Sequence, residues 1–111
     1  MDRTTIIDSL SGRVVEVNAA YYMQNMDRVV MAQGGAGNYD ITLPTVGYVG
    51  GFPVIVWHDT KSATITVKTT GADGSEIITT GGLASSVELA AYGDGVVLLN
   101  DGTNWFPIAQ T

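Results

Sequence analysis

The chain has 111 residues, 45% apolar and 14% charged, which is the length of one domain and far from the composition of disordered chains. Five Lys or Arg against eleven Asp or Glu give a formal charge of −6, the wrong sign for a surface that neutralises phosphates, so no nucleic-acid partner is expected. The absence of cysteine excludes disulfides, thiolate nucleophiles and cysteine zinc sites, and leaves packing as the source of stability.

The segment Met1 to Ile7 lacks the charged and apolar regions of a signal peptide. The longest apolar stretch, Phe52 to Trp57, is too short to span a bilayer as a helix, so a soluble chain with no membrane partner is expected. Residues 1–12, polar and rich in Thr and Ser, read either as an arm that orders on a partner or as a frayed terminus. Residues 13–111 read as a single β domain. A domain of this size buries roughly two-thirds of its unfolded surface, so association can add much of its stability.

Glycine runs punctuate the chain at Gly34 to Gly37, Gly50-Gly51, Gly71 to Gly74, Gly81-Gly82, Gly93 to Gly95 and Gly102, the turn rhythm of an all-β domain. Between them lie short runs of Val, Ile, Thr and aromatic residues, which fit a pleated surface better than a helix. Strands are predicted near 13–18, 28–32, 39–43, 52–58, 63–69, 75–79, 86–91, 95–100 and 103–109. In the alternating segment from Ala63 to Thr69, the residues Ala63, Ile65 and Val67 point inward, and the threonines and Lys68 face water. The segment Phe52 to Trp57 is apolar on both faces, which places one face on the core and the other under a second sheet or subunit. Its residues Phe52, Val54, Val56 and Trp57 are the candidate interface with a subunit or another partner.

Helical spacing appears weakly at residues 19–26 and 83–92, and the second stretch alternates equally well as a strand. At the C-terminal end, Asp101-Gly102 between two apolar runs signals a two-residue type I′ hairpin. That register pairs Asn100 with Thr103 and Leu98 with Trp105, making Leu98, Asp101, Gly102 and Trp105 the structural hairpin.

Candidate chemistry is sparse. His58 is the single histidine, and no nucleophile is identified to accompany it in a triad. One imidazole and no thiolate do not make a metal site. Asp73, Glu76, Asp94 and Asp101 lie at glycine turns, where an Asp side chain bonds the local backbone. The glycine runs match neither a P-loop nor a calcium loop. Trp57 and Trp105 sit in apolar runs and read as core anchors, with a sugar-stacking platform as the alternative. No catalytic residue, cofactor or metal is therefore assigned.

The segments Asp40-Ile41-Thr42-Leu43-Pro44, Val49 to Trp57 and Ala63 to Val67 resemble a pattern in structural proteins of tailed bacteriophages: an ITLP strand, a glycine, an apolar strand and an ITI-type strand. Ser86 to Leu89 and Val96 to Trp105, with Asp101-Gly102-Thr103-Asn104-Trp105, resemble the close of the same modules. The resemblance covers roughly residues 28 to 109. It implies a compact antiparallel β-sandwich or barrel-like fold with short hairpins, a homotrimer, and no enzymatic activity. With no long shaft in this sequence, it points to a small head-decoration or cement protein. Such a protein is made in the host cytoplasm, is found in the virion and binds the major capsid protein lattice. The alternatives are a tail fibre or tail tip component partnered by tail proteins, and a carbohydrate-binding β domain.

Overall fold

The chain alternates between two layers, and this alternation sets its topology. A computed structural model describes residues 13–24, 27–33, 37–46, 53–59, 64–79, 81–91 and 93–110. The strands are β1 (Arg13–Val17), β2 (Tyr21–Tyr22), β3 (Asp27–Gln33), β4 (Tyr39–Thr42), β5 (Val54–Asp59), β6 (Ile65–Lys68), β7 (Ile77–Thr79), β8 (Gly82–Ala84), β9 (Ser86–Leu89), β10 (Gly95–Asn100) and β11 (Trp105–Gln110). They form a seven-stranded sheet in the order β1-β3-β5-β10-β11-β7-β8 and a four-stranded sheet in the order β2-β4-β6-β9. The all-β expectation holds. The proposed arm at residues 1–12, together with Phe52 and Ala63, lies outside the described residues.

The expectation of antiparallel pairing needs correction. From β1 to β6 each strand is followed by one in the other sheet, so neighbours within a sheet are reached by crossing over and returning, which makes them parallel. Parallel pairs are β1–β3, β3–β5, β2–β4, β4–β6 and β11–β7. Val29 pairs with Ile55 and Tyr39 with Ile65, so β3–β5 and β4–β6 share a 26-residue offset (29 to 55, 39 to 65). Gly37, between β3 and β4, thus lies on a crossing between sheets, and residues 34–36 lie outside the described residues. Antiparallel pairing returns in β7–β8, β6–β9, β5–β10 and β10–β11.

Inward side chains of both sheets meet in one cluster. The larger sheet contributes Val30, Ala32, Val54, Val56, Ile77, Val96, Leu98 and Trp105, and the smaller contributes Tyr39, Ile41, Ile65, Val67 and Leu89. Each fully buried aliphatic side chain contributes about 1.5–3 kcal/mol relative to exposure. The alternation read from 63–69 holds at Ile65 and Val67, which are buried, and at Thr66 and Lys68, which are not. Thr69 departs from it. This residue is buried, and its N–H donates to the Ser85 carbonyl at 3.0 Å.

Both stretches with helical spacing contain strands: Tyr21–Tyr22 pairs with β4, and Gly82–Ala84 and Ser86–Leu89 are β8 and β9. Tyr39, buried in β4, ties the layers together. Its hydroxyl lies 2.6 Å from the Gln33 carbonyl and 3.4 Å from that of Val17, and burial raises its pKa above 10.0.

The C-terminal hairpin forms with a different register. Asn100 pairs with Trp105, Leu99 with Phe106 and Leu98 with Pro107, leaving residues 101–104 as the loop. A type I′ turn needs positive φ at both central residues, yet Asp101 does not have it, and Gly102 alone turns left-handed at φ 91°. Asp101 instead accepts the Thr103 and Asn104 N–H groups on Oδ1, each at 2.9 Å, which closes a longer loop. The slip is two residues, so Leu98 and Trp105 stay on the buried face. The pairing shifts again next to Pro107, which has no N–H to give to the ladder.

Candidate functional site: the outward face of the large sheet

The two outward faces differ in chemistry. On the small sheet, Asp40, Thr66, Lys68 and Glu88 face out, with Lys68 Nζ 3.1 Å from Asp40 Oδ2 in a half-exposed pair that contributes at most about 1 kcal/mol. The large sheet is apolar on its outward side. Following the pairings from β1, Val14 stands beside Val29, Val29 beside Ile55, and Met31 beside Trp57. Ile55 stands beside Val97, which faces Ala109, and Leu99 faces Phe106. On the far side, Trp105 pairs with Ile77, which places Ile78 outward beside Leu83. Among the described strands an acidic residue enters at the margin of this face at Glu16 on edge strand β1, whose Oε2 accepts from Gln33 Nε2 at 2.8 Å.

Trp57 stands between Met31 and Gly95 on this face and is 40% exposed, and Leu83 at its far edge is 63% exposed. The Trp57 ring lies over Gly95, its partner on β10: a Cβ placed on Gly95 would come within 2.8 Å of the ring carbon Cε3. The missing side chain is what lets the indole lie against the sheet, covering Gly95. Beside the ring runs a groove of about 330 Å³ lined by Ile55, Trp57, Gly95, Val96, Val97, Ala109 and Gln110. A sugar platform needs several convergent hydrogen-bonding groups beside the ring, and this groove offers apolar carbon with one amide at its end.

The candidate interface read from residues 52–57 is corrected accordingly. Val54 and Val56 are fully buried and face the core, so they are closed to any partner. Strand alternation puts Ile55 and Trp57 outward instead. Phe52 lies outside the described residues. The expectation that both tryptophans anchor the core is half right. Trp105 is fully buried, and Trp57 lies on the opposite side of the sheet.

His58 is fully buried between Ala32 and β10, its backbone held by the Asp94 carbonyl at 2.8 Å and the Gly93 N–H at 3.0 Å, so bulk substrate cannot reach its ring. Of the turn carboxylates, Asp73, Asp94 and Asp101 bond their local backbone as expected. Asp94 Oδ2 accepts the Ala91 N–H at 2.9 Å. Asp73 Oδ1 accepts the Ser75 N–H and hydroxyl at 2.9 and 2.6 Å, and Oδ2 accepts the Val46 N–H at 3.1 Å. Partial burial of Asp73 opposes ionisation, but these donors together with the Thr70 hydroxyl outweigh it and hold the carboxyl below 3.8. Asp101 is held low by the Asn104 and Thr103 N–H groups.

One polar cluster was not legible in the sequence. Asp27 is fully buried and accepts the Tyr21 hydroxyl at 2.6 Å and the Gln24 N–H at 2.8 Å, and buried Arg28 donates to the Asp27 carbonyl at 3.1 Å. Adjacent charged residues opening a strand ordinarily read as solvated. Among the described residues, no group of three or more His, Asp or Glu is placed to hold a metal ion, and no helix is long and apolar enough to cross a membrane. No family model matches the chain, and no curated protein or solved structure matches it either.

Proposed function

We propose that this chain is a non-enzymatic structural protein of a tailed-bacteriophage virion, a capsid decoration protein that binds the assembled head and reinforces it as a homotrimer. The observation that carries this reading is the outward face of the large sheet, an apolar surface that includes Trp57 in a chain of formal charge −6. A surface of that kind suits protein–protein contact. The resemblance supports the same reading through its positions in the fold. The ITLP segment begins in β4, the apolar segment is β5, the alternating segment is β6, and the DGTNW run makes the β10–β11 turn. In this reading the two sheets form a β-sandwich, a rigid unit that loses little entropy on docking, and several subunits engaging the lattice together multiply a modest contact.

The test is electron microscopy of the virions that contain this protein, labelled with gold-tagged antibody against it. Label spread over the heads is the expected result. Label at the tail moves the protein to host-surface recognition, and absence of label from every particle overturns the virion reading.

A further inference from the structure

We propose that the apolar outward face of the seven-stranded sheet, Trp57 included, is the surface through which copies of this chain meet one another. The inference draws on the virion reading only for the expected number of copies; the surface itself is argued from size, charge and shape.

Six spacings of about 4.8 Å make the seven strands about 29 Å wide. That is the full width of a molecule measuring 32 × 30 × 23 Å. Two or three outward side chains per strand give the stripe a depth of about 14 Å, or roughly 400 Å² in projection. Side-chain relief raises the accessible area further, toward the several hundred Å² per partner of a specific interface. A stripe running the full width also lets one subunit touch two neighbours around an axis.

Charge selects the face. Two chains of formal charge −6 repel each other, and approach through the small sheet would strip water from Asp40, Lys68 and Glu88 of both copies. Approach through the large sheet buries the uncharged Ile55, Trp57, Val97 and Leu99 and leaves Glu16 of edge strand β1 at the margin. Shape favours a copy as well, because two sheets of the same twist present matching curvature. The groove beside Trp57, floored by Gly95 and walled by Ile55, Val97 and Ala109, receives an apolar side chain of the neighbour.

Sedimentation velocity of the full chain from about 1 to about 100 µM tests this, a range that spans weak to moderate self-association. The wild type is expected to associate as concentration rises. Ala109→Glu and Trp57→Lys are expected to raise the dissociation constant about tenfold or more, by placing charge in the contact. Thr66→Glu, on the other sheet, leaves it unchanged. Circular-dichroism melting reports the fold of each variant, and Ala109, already exposed, decides the matter if Trp57→Lys does not fold. A monomer throughout the range overturns the inference, as does an oligomer that both folded variants leave intact. A dimer lost in the variants supports this surface and counts against the trimer, while virion labelling tests location independently.

Discussion

Replacing Trp105 with alanine and, separately, with phenylalanine tests the core most directly, because the residue carries two opposed energies. Its ring is fully buried between the layers. A buried indole removes about 200 Å² from water, about 5 kcal/mol at 25 cal/mol/Å². Its Nε1–H, however, is buried without a hydrogen-bond partner. That costs about 1–3 kcal/mol, which truncation releases. Trp105→Ala is therefore expected near the lower end of the usual range for large aromatic deletions, about 3 kcal/mol, a fall in Tm of about 12–24 °C. Trp105→Phe loses about 60 Å² of ring, about 1.5 kcal/mol, but removes the unpaired donor, so the net change stays within about 1 kcal/mol. Urea unfolding followed by circular dichroism measures both, and an unchanged slope shows that the midpoint shift is a stability change. If Trp105→Phe costs as much as Trp105→Ala, the indole N–H is satisfied and the reasoning fails.

Three further outcomes are expected. Gly102→Val should destabilise by at least about 1 kcal/mol, because φ of 91° resists a β-branched side chain although nothing lies within 4 Å of its Cβ position; an unchanged melting midpoint refutes that backbone conformation. Tyr39→Phe should cost about 1 kcal/mol in urea unfolding by removing the hydroxyl bond to Gln33, and a neutral result would mean that water replaces it. Asp73 has a folded pKa below its ordinary 3.8, so its contribution is fully present above that value and is lost as pH falls through the folded pKa. The Tm gap between wild type and Asp73→Asn should accordingly shrink below about pH 4, and a gap constant from pH 7 to pH 2 contradicts the assignment.

Local chemistry made much of this protein legible in its sequence. Branched and aromatic runs between glycines identify strands, because side-chain shape and turn propensity act within a few residues. Alternation placed Ile65 and Val67 in the core, and parity placed Leu98 and Trp105 on one face even with the loop register two residues out. The local bonds of Asp73, Asp94 and Asp101 were readable for the same reason, since those partners lie two or three residues away, whereas the Val46 N–H on Asp73, 27 positions distant, was not.

Tertiary structure decided what depends on distant residues. No local signal distinguishes a glycine run that reverses a strand from one that carries it to the other sheet, so the parallel coil of β1 to β6 was hidden. The β5 segment is apolar on both faces, so its sequence does not say which side meets the core. Val54 and Val56 face the core, and that same choice turns Ile55 and Trp57 outward. Trp57 rests where it does because Gly95, thirty-eight positions along the chain (57 to 95), is brought beside it by the β5–β10 pairing. The apolar face exists because seven strands, distant in sequence, are set side by side with their outward positions in register. The pattern of each strand was in the sequence, but their order was set by how the two layers share one core.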